Sequence, residues 1–361
     1  MRAAVMRQKK LVVDRIEAPI PAKGQVLVKT LACGICGSDL HALKHAEKLV
    51  EGAKRTGAPF VMDLGRDVVM GHEFCAELVD FGPDTPRRFK AGTRVCAMPV
   101  LIRPNGIETV GYSNDNPGGY GEYMRLMESF LLEVPNGLST EYAALTEPMA
   151  VGYHAVQKAR LAEDDAPLVI GCGPVGLSVI AALKMTNIRP IVAADFSPRR
   201  RQLAEQMGAD VVVNPEVKSP HESWKEMAVY KDPAKAPPLL PFLTGPALRP
   251  AVIFECVGVP GVIESIMTAA PPNARIVVVG LCMERDQFEP MFGINKELNL
   301  HFVLGYNGSE FATTLRNLAE GKVNPQPLLT GKVGLGGVAQ AFDDLGSPAH
   351  HAKILVEPWQ N

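Results

Sequence analysis

The chain has 361 residues, of which 47% are hydrophobic and 21% charged, and its formal net charge is −2. This composition is typical of a globular protein large enough for two domains, and the charge gives no reason to expect nucleic-acid or membrane binding. Because no apolar stretch approaches the length of a membrane span and the N-terminus lacks a signal-peptide pattern, we predict a cytoplasmic protein whose seven cysteines are reduced.

The first 30 residues predict short β-strands. Apolar runs at residues 3–6 and 11–13 are separated by polar residues, and the run 25–30 follows the turn signal at residues 21–24. Further on, residues 42–68 are polar and lack a clear pattern, which predicts an irregular loop over an active site. Residues 74–81 alternate as a strand would.

Metal-ligand chemistry begins directly after the third predicted strand. Cys33 and Cys36 form a C-x-x-C pair, which alone is consistent with half a zinc site, a redox pair or coincidence. No second C-x-x-C follows, and the surroundings are strand-like rather than helical. A better partner for Cys36 lies at His72 and Glu73, because thiolate, imidazole and carboxylate are all zinc ligands. The alternative for His72 is an ordinary buried histidine.

A glycine-rich turn marks the centre of the chain. An apolar strand at residues 167–170 enters Gly171-Cys172-Gly173-Pro174-Val175-Gly176, and a nearly uncharged helix follows over residues 177–185. In a G-x-G-x-x-G turn the glycines permit the tight turn, the close approach of a pyrophosphate and close helix–strand packing. A second strand over residues 191–194 ends at Asp195, where an acid binds a ribose 2′-hydroxyl. This order predicts dinucleotide binding.

The charges after Asp195 bear on the choice of nucleotide. Residues 199–201 are arginines, and Arg200 or a neighbour could meet the 2′-phosphate of NADP. Because Asp195 would repel that phosphate, we favour NAD over NADP. The arginines are alternatively a solvated helix face.

Later strands are predicted at residues 251–258, 274–280 and 353–356, with a helix over residues 311–320. Val257, Val279 and Leu281 lie at the ends of the first two of these strands. Ligands bind at the carboxyl ends of parallel strands, so we expect these residues to lie along the nicotinamide riboside. The stretch from 233 to 250 is proline-rich, and residues 237–242 cannot form a central element.

Three motifs in order carry a family resemblance. Residues 36–41 (CGSDLH), Gly71-His72-Glu73 and the glycine turn closely resemble the zinc-dependent medium-chain alcohol and polyol dehydrogenases, over nearly the whole chain. The resemblance implies an α/β fold in which a Rossmann doubly wound parallel-sheet domain (154–303) is inserted into a mainly β GroES-like catalytic domain (1–153 and 304–361). It also implies a homodimer or homotetramer, with a dimer-edge strand at residues 286–292.

The resemblance also assigns roles at the metal. Cys36 and His72 would be ligands of a catalytic Zn²⁺, and Glu73 a ligand or an exchangeable one. Glu147, followed by Pro148, matches the polyol, threonine and sugar dehydrogenase branch, in which a carboxylate replaces the cysteine of the best-known alcohol dehydrogenases. Glu147 would bind zinc directly or through water; its alternative role is that of an acid at a helix N-terminus.

Three further residues take roles in proton transfer and positioning. By resemblance, Ser38 would hydrogen-bond the substrate oxygen and His41 would end a proton relay through the ribose. Asp39 would accept a hydrogen bond from His72 and fix its tautomer. A turn or helix cap is the alternative for Ser38 and Asp39.

The sequence departs from the family where a second zinc would lie. No cysteine occurs from residue 97 through 121, so a closely spaced set of four thiols cannot form there. We therefore predict that the structural zinc is absent and that residues 102–116 form a loop in its place.

The predicted activity is reversible oxidation of a small-molecule alcohol (a polyol, sugar or amino alcohol) to a carbonyl, with hydride transfer to NAD. Two other functions remain open. One is a zinc-independent, NADPH-dependent quinone or enone reductase of the same fold, against which the set Cys36, His72 and Glu147 argues. The other is a non-catalytic nucleotide-sensing or thiol-switch protein using Cys33 and Cys36.

Overall fold

The computed structural model of the chain describes residues 1–58, 62–104, 106–135, 137–236, 246–347 and 349–360. These residues fall into two compact units. The first comprises Met1–Pro148 and Asn307–Asn361, and the second Met149–Tyr306. Among the described residues, none of the helices has both the length and the apolar character that crossing a membrane requires.

Strands dominate the first third of the chain and alternate with helices later. In chain order they are β1 (Arg2–Arg7), β2 (Lys10–Arg15), β3 (Gln25–Gly34), β4 (Glu73–Phe81), β5 (Arg94–Ala97), β6 (Val100–Arg103), β7 (Gly106–Thr109), β8 (Tyr123–Met127), β9 (Leu131–Glu133), β10 (Ala166–Ile170), β11 (Val192–Ala194), β12 (Val211–Val213), β13 (Ala251–Glu255), β14 (Arg275–Val278), β15 (Asn299–Phe302), β16 (Leu329–Val333) and β17 (Lys353–Val356).

The α-helices, in the same order, are α1 (Gly37–Thr56), α2 (Thr140–Ala144), α3 (Thr146–Lys158), α4 (Pro174–Lys184), α5 (Pro198–Met207), α6 (Pro220–Met227), α7 (Val262–Ala269), α8 (Pro290–Lys296), α9 (Gly308–Ala319) and α10 (Val338–Leu345).

The first unit is built on a mixed sheet with the strand order β16–β17–β3–β4–β5–β9, and β8 also pairs with β3. Strand β3 is central, antiparallel to both β4 and β17. Its alternating side chains Val26 and Val28 are fully buried, together with Phe74 of β4 and Ile354 of β17. The carboxyl end of β3 therefore lies beside the start of β4 in the middle of the sheet. The candidate metal ligands lie at this point.

The predicted loop at residues 42–68 is wrong over much of its length, because α1 continues to Thr56. Its buried residues Asp39, Ala42, Ala46 and Ala53 recur at helical spacing, and Gly57 in the left-handed region (φ 74°) ends the helix. The alanines lie between many charged residues and, being small, give only a weak hydrophobic pattern. His45 has non-helical dihedrals, which mark a kink inside this helix.

Two other predictions are corrected. The loop at residues 102–116 contains part of a hairpin in which Ile102 of β6 faces Ile107 of β7. The strand at residues 286–292 is wrong, because Pro290 occupies the first turn of α8, where its missing N–H costs nothing.

The second unit contains a parallel sheet with the strand order β12–β11–β10–β13–β14–β15. Counted from its own first strand this is the order 3-2-1-4-5-6 of a doubly wound dinucleotide fold, which reverses direction between β10 and β13. Strands β10 and β13 are buried almost throughout, as expected for a sheet covered on both faces. The prediction for residues 237–242 lies outside the described residues.

Candidate active site

The N-terminus of α1 positions the first candidate ligand. Strand β3 ends at Gly34 and α1 begins at Gly37, so Cys36 is the N-cap residue, with extended dihedrals (φ −91°, ψ 152°). Its backbone N–H donates to Asp39 Oδ2 at 3.0 Å, which fixes the first turn. A thiolate at this position is stabilised by the partial positive charge of the helix N-terminus.

His72 and Glu73 approach Cys36 because β3 and β4 are paired. Glu73 is the register partner of Gly34, two residues before Cys36. Potential ligand atoms of Cys36, His72 and Glu73 all lie within 4.8 Å of one another, and no other group of this kind occurs among the described residues. His72 and Glu73 are buried, whereas Cys36 is half-buried. A thiolate, an imidazole and a carboxylate at this spacing fit zinc.

Asp39 organises the surroundings of this group. It is fully buried and receives hydrogen bonds from Cys36 N, from Tyr120 Oη at 2.6 Å and from Tyr112 Oη at 2.9 Å. Its Oδ1 also lies 3.5 Å from His72 Nδ1. Burial acts to raise the pKa of Asp39, but the charge of His72 and these hydrogen bonds outweigh it, so the pKa lies below its ordinary value. Asp39 is therefore ionised.

The carboxylate of Asp39 also determines the state of His72. Burial disfavours the imidazolium, yet the charge of Asp39 outweighs burial and raises the pKa of His72 well above its ordinary value. Because Nδ1 faces Asp39, Nε2 is the nitrogen left for a metal.

A buried lysine that the sequence gave no reason to single out holds Glu73. Lys353 Nζ lies 2.6 Å from Glu73 Oε1 and 2.7 Å from Oε2, and it also donates to Ile35 O at 2.9 Å. Burial acts to lower the pKa of Lys353, but the charge of Glu73 outweighs it and the pKa is raised. A Cβ at Gly34 would overlap Glu73 Oε2, so this carboxylate depends on a glycine beside it.

The glycine turn of the second unit has the geometry of a phosphate site. Gly171 has a φ of 90°, Gly173 is the N-cap of α4 and Pro174 occupies its first turn, followed by Val175. A Cβ at Gly176 would overlap Gly171 O, whereas a Cβ at Gly173 would meet only Arg200, 3.8 Å away. The open side of the turn therefore presents the backbone N–H groups at the start of α4.

Asp195 follows β11 and is bound to the same turn. Its Oδ2 accepts from Cys172 N and its Oδ1 from Ser197 N, both at 2.8 Å. Arg200 Nη1 lies 3.9 Å from Oδ2, and Arg201 donates to the Asp195 carbonyl. Arg200 thus lies beside this acid and Arg201 binds the backbone that carries it, so neither guanidinium contacts solvent alone.

Val257 and Leu281 are exposed residues beyond the carboxyl ends of β13 and β14, and Val279 is half-buried there. A Cβ at Gly171 would lie 2.7 Å from Val257 Cγ2, which places Val257 beside the glycine turn. Glu255 stabilises the backbone at the end of β13, because its carboxylate accepts hydrogen bonds from the N–H groups of Val257 and Gly258. These residues lie together at the switch point of the sheet, where ligands of such folds bind.

Comparison with known proteins decides the family. Residues 22–136 match the family model "Alcohol dehydrogenase GroES-like domain" and residues 174–320 match "Zinc-binding dehydrogenase". The chain is 30% identical to (R,R)-butanediol dehydrogenase of Bacillus subtilis (strain 168), over 97% of both chains. The chain belongs to the zinc-dependent medium-chain alcohol and polyol dehydrogenases.

Other relatives agree with this assignment. Sorbitol dehydrogenase of Bos taurus is 28% identical, over 90% of this chain and 87% of the relative. The crystal structure of 2R,3R-butanediol dehydrogenase from Bacillus subtilis superposes with a TM-score of 0.79 at 28% identity, covering 99% of each chain. The predicted fold class, a Rossmann-type sheet together with a GroES-like domain, is confirmed.

This dehydrogenase is therefore an oxidoreductase that acts on a small-molecule alcohol with zinc and NAD as cofactors. The family assignment supports the dehydrogenase prediction over the enone-reductase and thiol-switch alternatives.

The predicted relay residues of the dehydrogenase lie on α1. The Ser38 hydroxyl is 2.8 Å from Tyr112 Oη, and His41 is one helical turn further along. The ring of His41 stacks on His45, with centroids 6.5 Å apart. Burial, and secondarily the charges of His45 and Lys44, lower the pKa of His41.

Glu147 lies in the first turn of α3 and is buried, but it is not part of the group formed by Cys36, His72 and Glu73. Its charge does reach Lys353 and contributes to the raised pKa of that lysine. This position agrees with the alternative role of Glu147 as an acid at a helix N-terminus.

Proposed function

We propose that this enzyme reversibly oxidises a hydroxyl group of a small diol, polyol, sugar or amino alcohol, with NAD as the hydride acceptor. The observation that carries the proposal is the group formed by Cys36, His72 and Glu73, with the buried Asp39 beside Cys36 and His72. Relatives named for 2R,3R-butanediol and sorbitol support the substrate class.

We infer that Cys36 Sγ and His72 Nε2 hold the zinc and that a carboxylate completes the site. Both oxygens of Glu73 are bound to Lys353, which favours Glu147 as the third ligand, directly or through water, with Glu73 as an exchangeable one. A carboxylate in place of a thiolate leaves more positive charge on the metal.

A zinc ion held there would supply Lewis acidity that lowers the proton affinity of the alcohol oxygen, and NAD would supply the hydride acceptor. Ser38 Oγ would accept the proton leaving that oxygen while its own proton passes to the nucleotide ribose, and His41, on the next turn of α1, would receive the proton released by the ribose. Asp39 accepts from Cys36 N and its Oδ1 lies 3.5 Å from His72 Nδ1, so Asp39 would keep both proposed ligands in fixed orientations.

A substrate screen tests this proposal. We expect the purified enzyme to reduce NAD with at least one diol, polyol, sugar or amino alcohol, measured by absorbance of the reduced nicotinamide. Simple primary alcohols are the comparison set, and quinones and enones with NADPH test the alternative chemistry. Turnover only with the latter, unaffected by a zinc chelator, would refute the proposal.

We further propose that Asp195 selects NAD over NADP by occupying the position that a 2′-phosphate would need. Asp195→Ala removes that negative charge and leaves Arg200 without its carboxylate partner. We expect the Kd for NAD to rise by about tenfold and the preference over NADP to fall by more than that, measured by nucleotide titration. Arg200→Ala is the matched control, because it should weaken NADP in the Asp195→Ala background. An unchanged preference would contradict the assignment.

We infer that Met149–Tyr306 serves as the dinucleotide-binding domain and that the remaining residues form the catalytic domain, in place of the predicted boundaries 154–303. We also propose a homodimer or homotetramer in the cytoplasm. The free state of all seven cysteines supports a reducing compartment, and exposed Phe302 on the outer strand β15 supports association. Light scattering on the purified enzyme measures the oligomeric mass, and a monomer would refute that part.

A further inference from the structure

A tyrosine from outside the recognised motifs reaches the proposed relay. The Tyr112 hydroxyl oxygen lies 2.8 Å from Ser38 Oγ and 2.9 Å from Asp39 Oδ1. Tyr112 is 4% exposed, and its ring packs against His72, with centroids 5.3 Å apart. It therefore contacts the proposed proton acceptor, the acid behind the metal site and one proposed metal ligand.

The hydrogen bond between Tyr112 and Asp39 determines how the Tyr112 hydroxyl can interact with Ser38. A tyrosine hydroxyl has one proton to donate, and a carboxylate can only accept. When Tyr112 donates to Asp39, its oxygen lone pairs remain available to the Ser38 hydroxyl. A serine hydroxyl at a helix N-terminus can otherwise rotate freely. The hydrogen bond to the buried Tyr112 restricts this rotation for Ser38.

A polar network holds the segment that carries Tyr112. Asn116 is fully buried, and its Oδ1 accepts from Arg103 at 3.0 Å and from Arg125 at 2.7 Å. Asn116 Nδ2 donates to Ser113 Oγ at 3.2 Å, and Ser113 in turn donates to Glu108. Glu108 is also paired with Arg103 at 2.7 Å. This network fixes the chain on both sides of Tyr112 without a cysteine.

We propose that Tyr112 is a positioning residue of the dehydrogenase, which orients the Ser38 hydroxyl for proton transfer and is itself held in place by the network around Asn116. The proposal rests on the function proposed for Ser38. It assigns a catalytic purpose to the segment between β6 and β8, which differs from the family pattern in having no cysteines.

Tyr112→Phe tests the proposal, with Tyr120→Phe as the matched variant. Both tyrosines hydrogen-bond Asp39, but of the two only Tyr112 also hydrogen-bonds Ser38 in the described part of the chain. We expect Tyr112→Phe to lower kcat by about tenfold, with KM changed less than about twofold and zinc content retained. A cobalt-substituted enzyme should keep its absorption spectrum, since the ligands are unchanged.

A double-mutant cycle with Ser38→Ala separates positioning from packing. If Tyr112 acts through Ser38, the double variant should be no slower than Ser38→Ala alone, whereas the effects of Tyr120→Phe and Ser38→Ala should add. A Tyr112→Phe enzyme with normal kcat, or a loss that adds fully to that of Ser38→Ala, would overturn the proposal.

Variants of Asn116 provide a second test of the proposal. Asn116→Ala should lower kcat as Tyr112→Phe does and add little to it, while Asn116→Asp, which keeps an acceptor for both arginines, should retain more activity. Equal kcat for Asn116→Ala and the native enzyme would overturn the role of the network. Lack of turnover by the native enzyme with every alcohol would instead count against the proposed function.

Discussion

Cys36→Ala is expected to abolish zinc binding and turnover while leaving NAD binding intact. Cys36 contributes the thiolate of the proposed site, and it belongs to the first unit, whereas the glycine turn at residues 171–176 belongs to the second. Removing a residue that hydrogen-bonds a metal ligand typically lowers activity by roughly 10–100-fold. The loss in Cys36→Ala should be larger, because a ligand itself is removed. Metal analysis, alcohol turnover and nucleotide titration on the same preparation measure the three expected results.

Cys33→Ala is the matched control for this prediction. Cys33 is a fully buried thiol three residues away that donates to Gly34 O and lies outside the metal group. Burial raises the pKa of Cys33 well above its ordinary value, so it remains protonated. This variant should keep its zinc, and retention of zinc and activity by Cys36→Ala would contradict the proposed site.

The carboxylate ligand can be identified in the same experiment. We expect Glu147→Gln to lose more zinc than Glu73→Gln, because Glu73 is bound through both oxygens to Lys353. The reverse order would make Glu73 the permanent ligand.

Lys353→Met is expected to give the largest loss of stability among single substitutions around the site. The Lys353 and Glu73 side chains are 1% and 0% exposed, so methionine would leave a buried carboxylate without its cation. Removing one partner of a buried ion pair costs about 3–5 kcal/mol, far more than breaking an exposed pair. Urea unfolding followed by circular dichroism measures the change in the free energy of unfolding.

The double variant Lys353→Met/Glu73→Gln shows whether the uncompensated charge is the cause. It removes both charges and should be more stable than Lys353→Met alone, because no ion is left buried. Lys332→Met removes an exposed lysine that is paired with Glu141 and should cost less than about 1 kcal/mol. If Lys353→Met unfolds with the same free energy as Lys332→Met, the ion pair has no structural importance.

Local patterns predicted the elements that carry their own signal. A run after a turn signal indicated β3, alternation indicated β4, an apolar run indicated β10, and three glycines with Asp195 indicated the nucleotide turn. The same logic failed for α1, whose buried face consists mainly of alanines between charged residues. The strand at residues 286–292, which the family resemblance implied, was wrong because Pro290 starts a helix. Small residues give a weak hydrophobic period, and proline favours a helix start as readily as a strand edge.

The sequence alone determined the chemistry available to this protein: a thiol, an imidazole and carboxylates in family order, and a glycine turn followed by an acid. Only the tertiary structure decided which groups surround them. Lys353 meets Glu73 across 280 positions of sequence because β17 and β4 both pair with β3, and Tyr112 and Tyr120 reach Asp39 from a segment more than 70 residues away. Periodicity reports which face of one element is buried, whereas the partner of a buried charge depends on which strands pair.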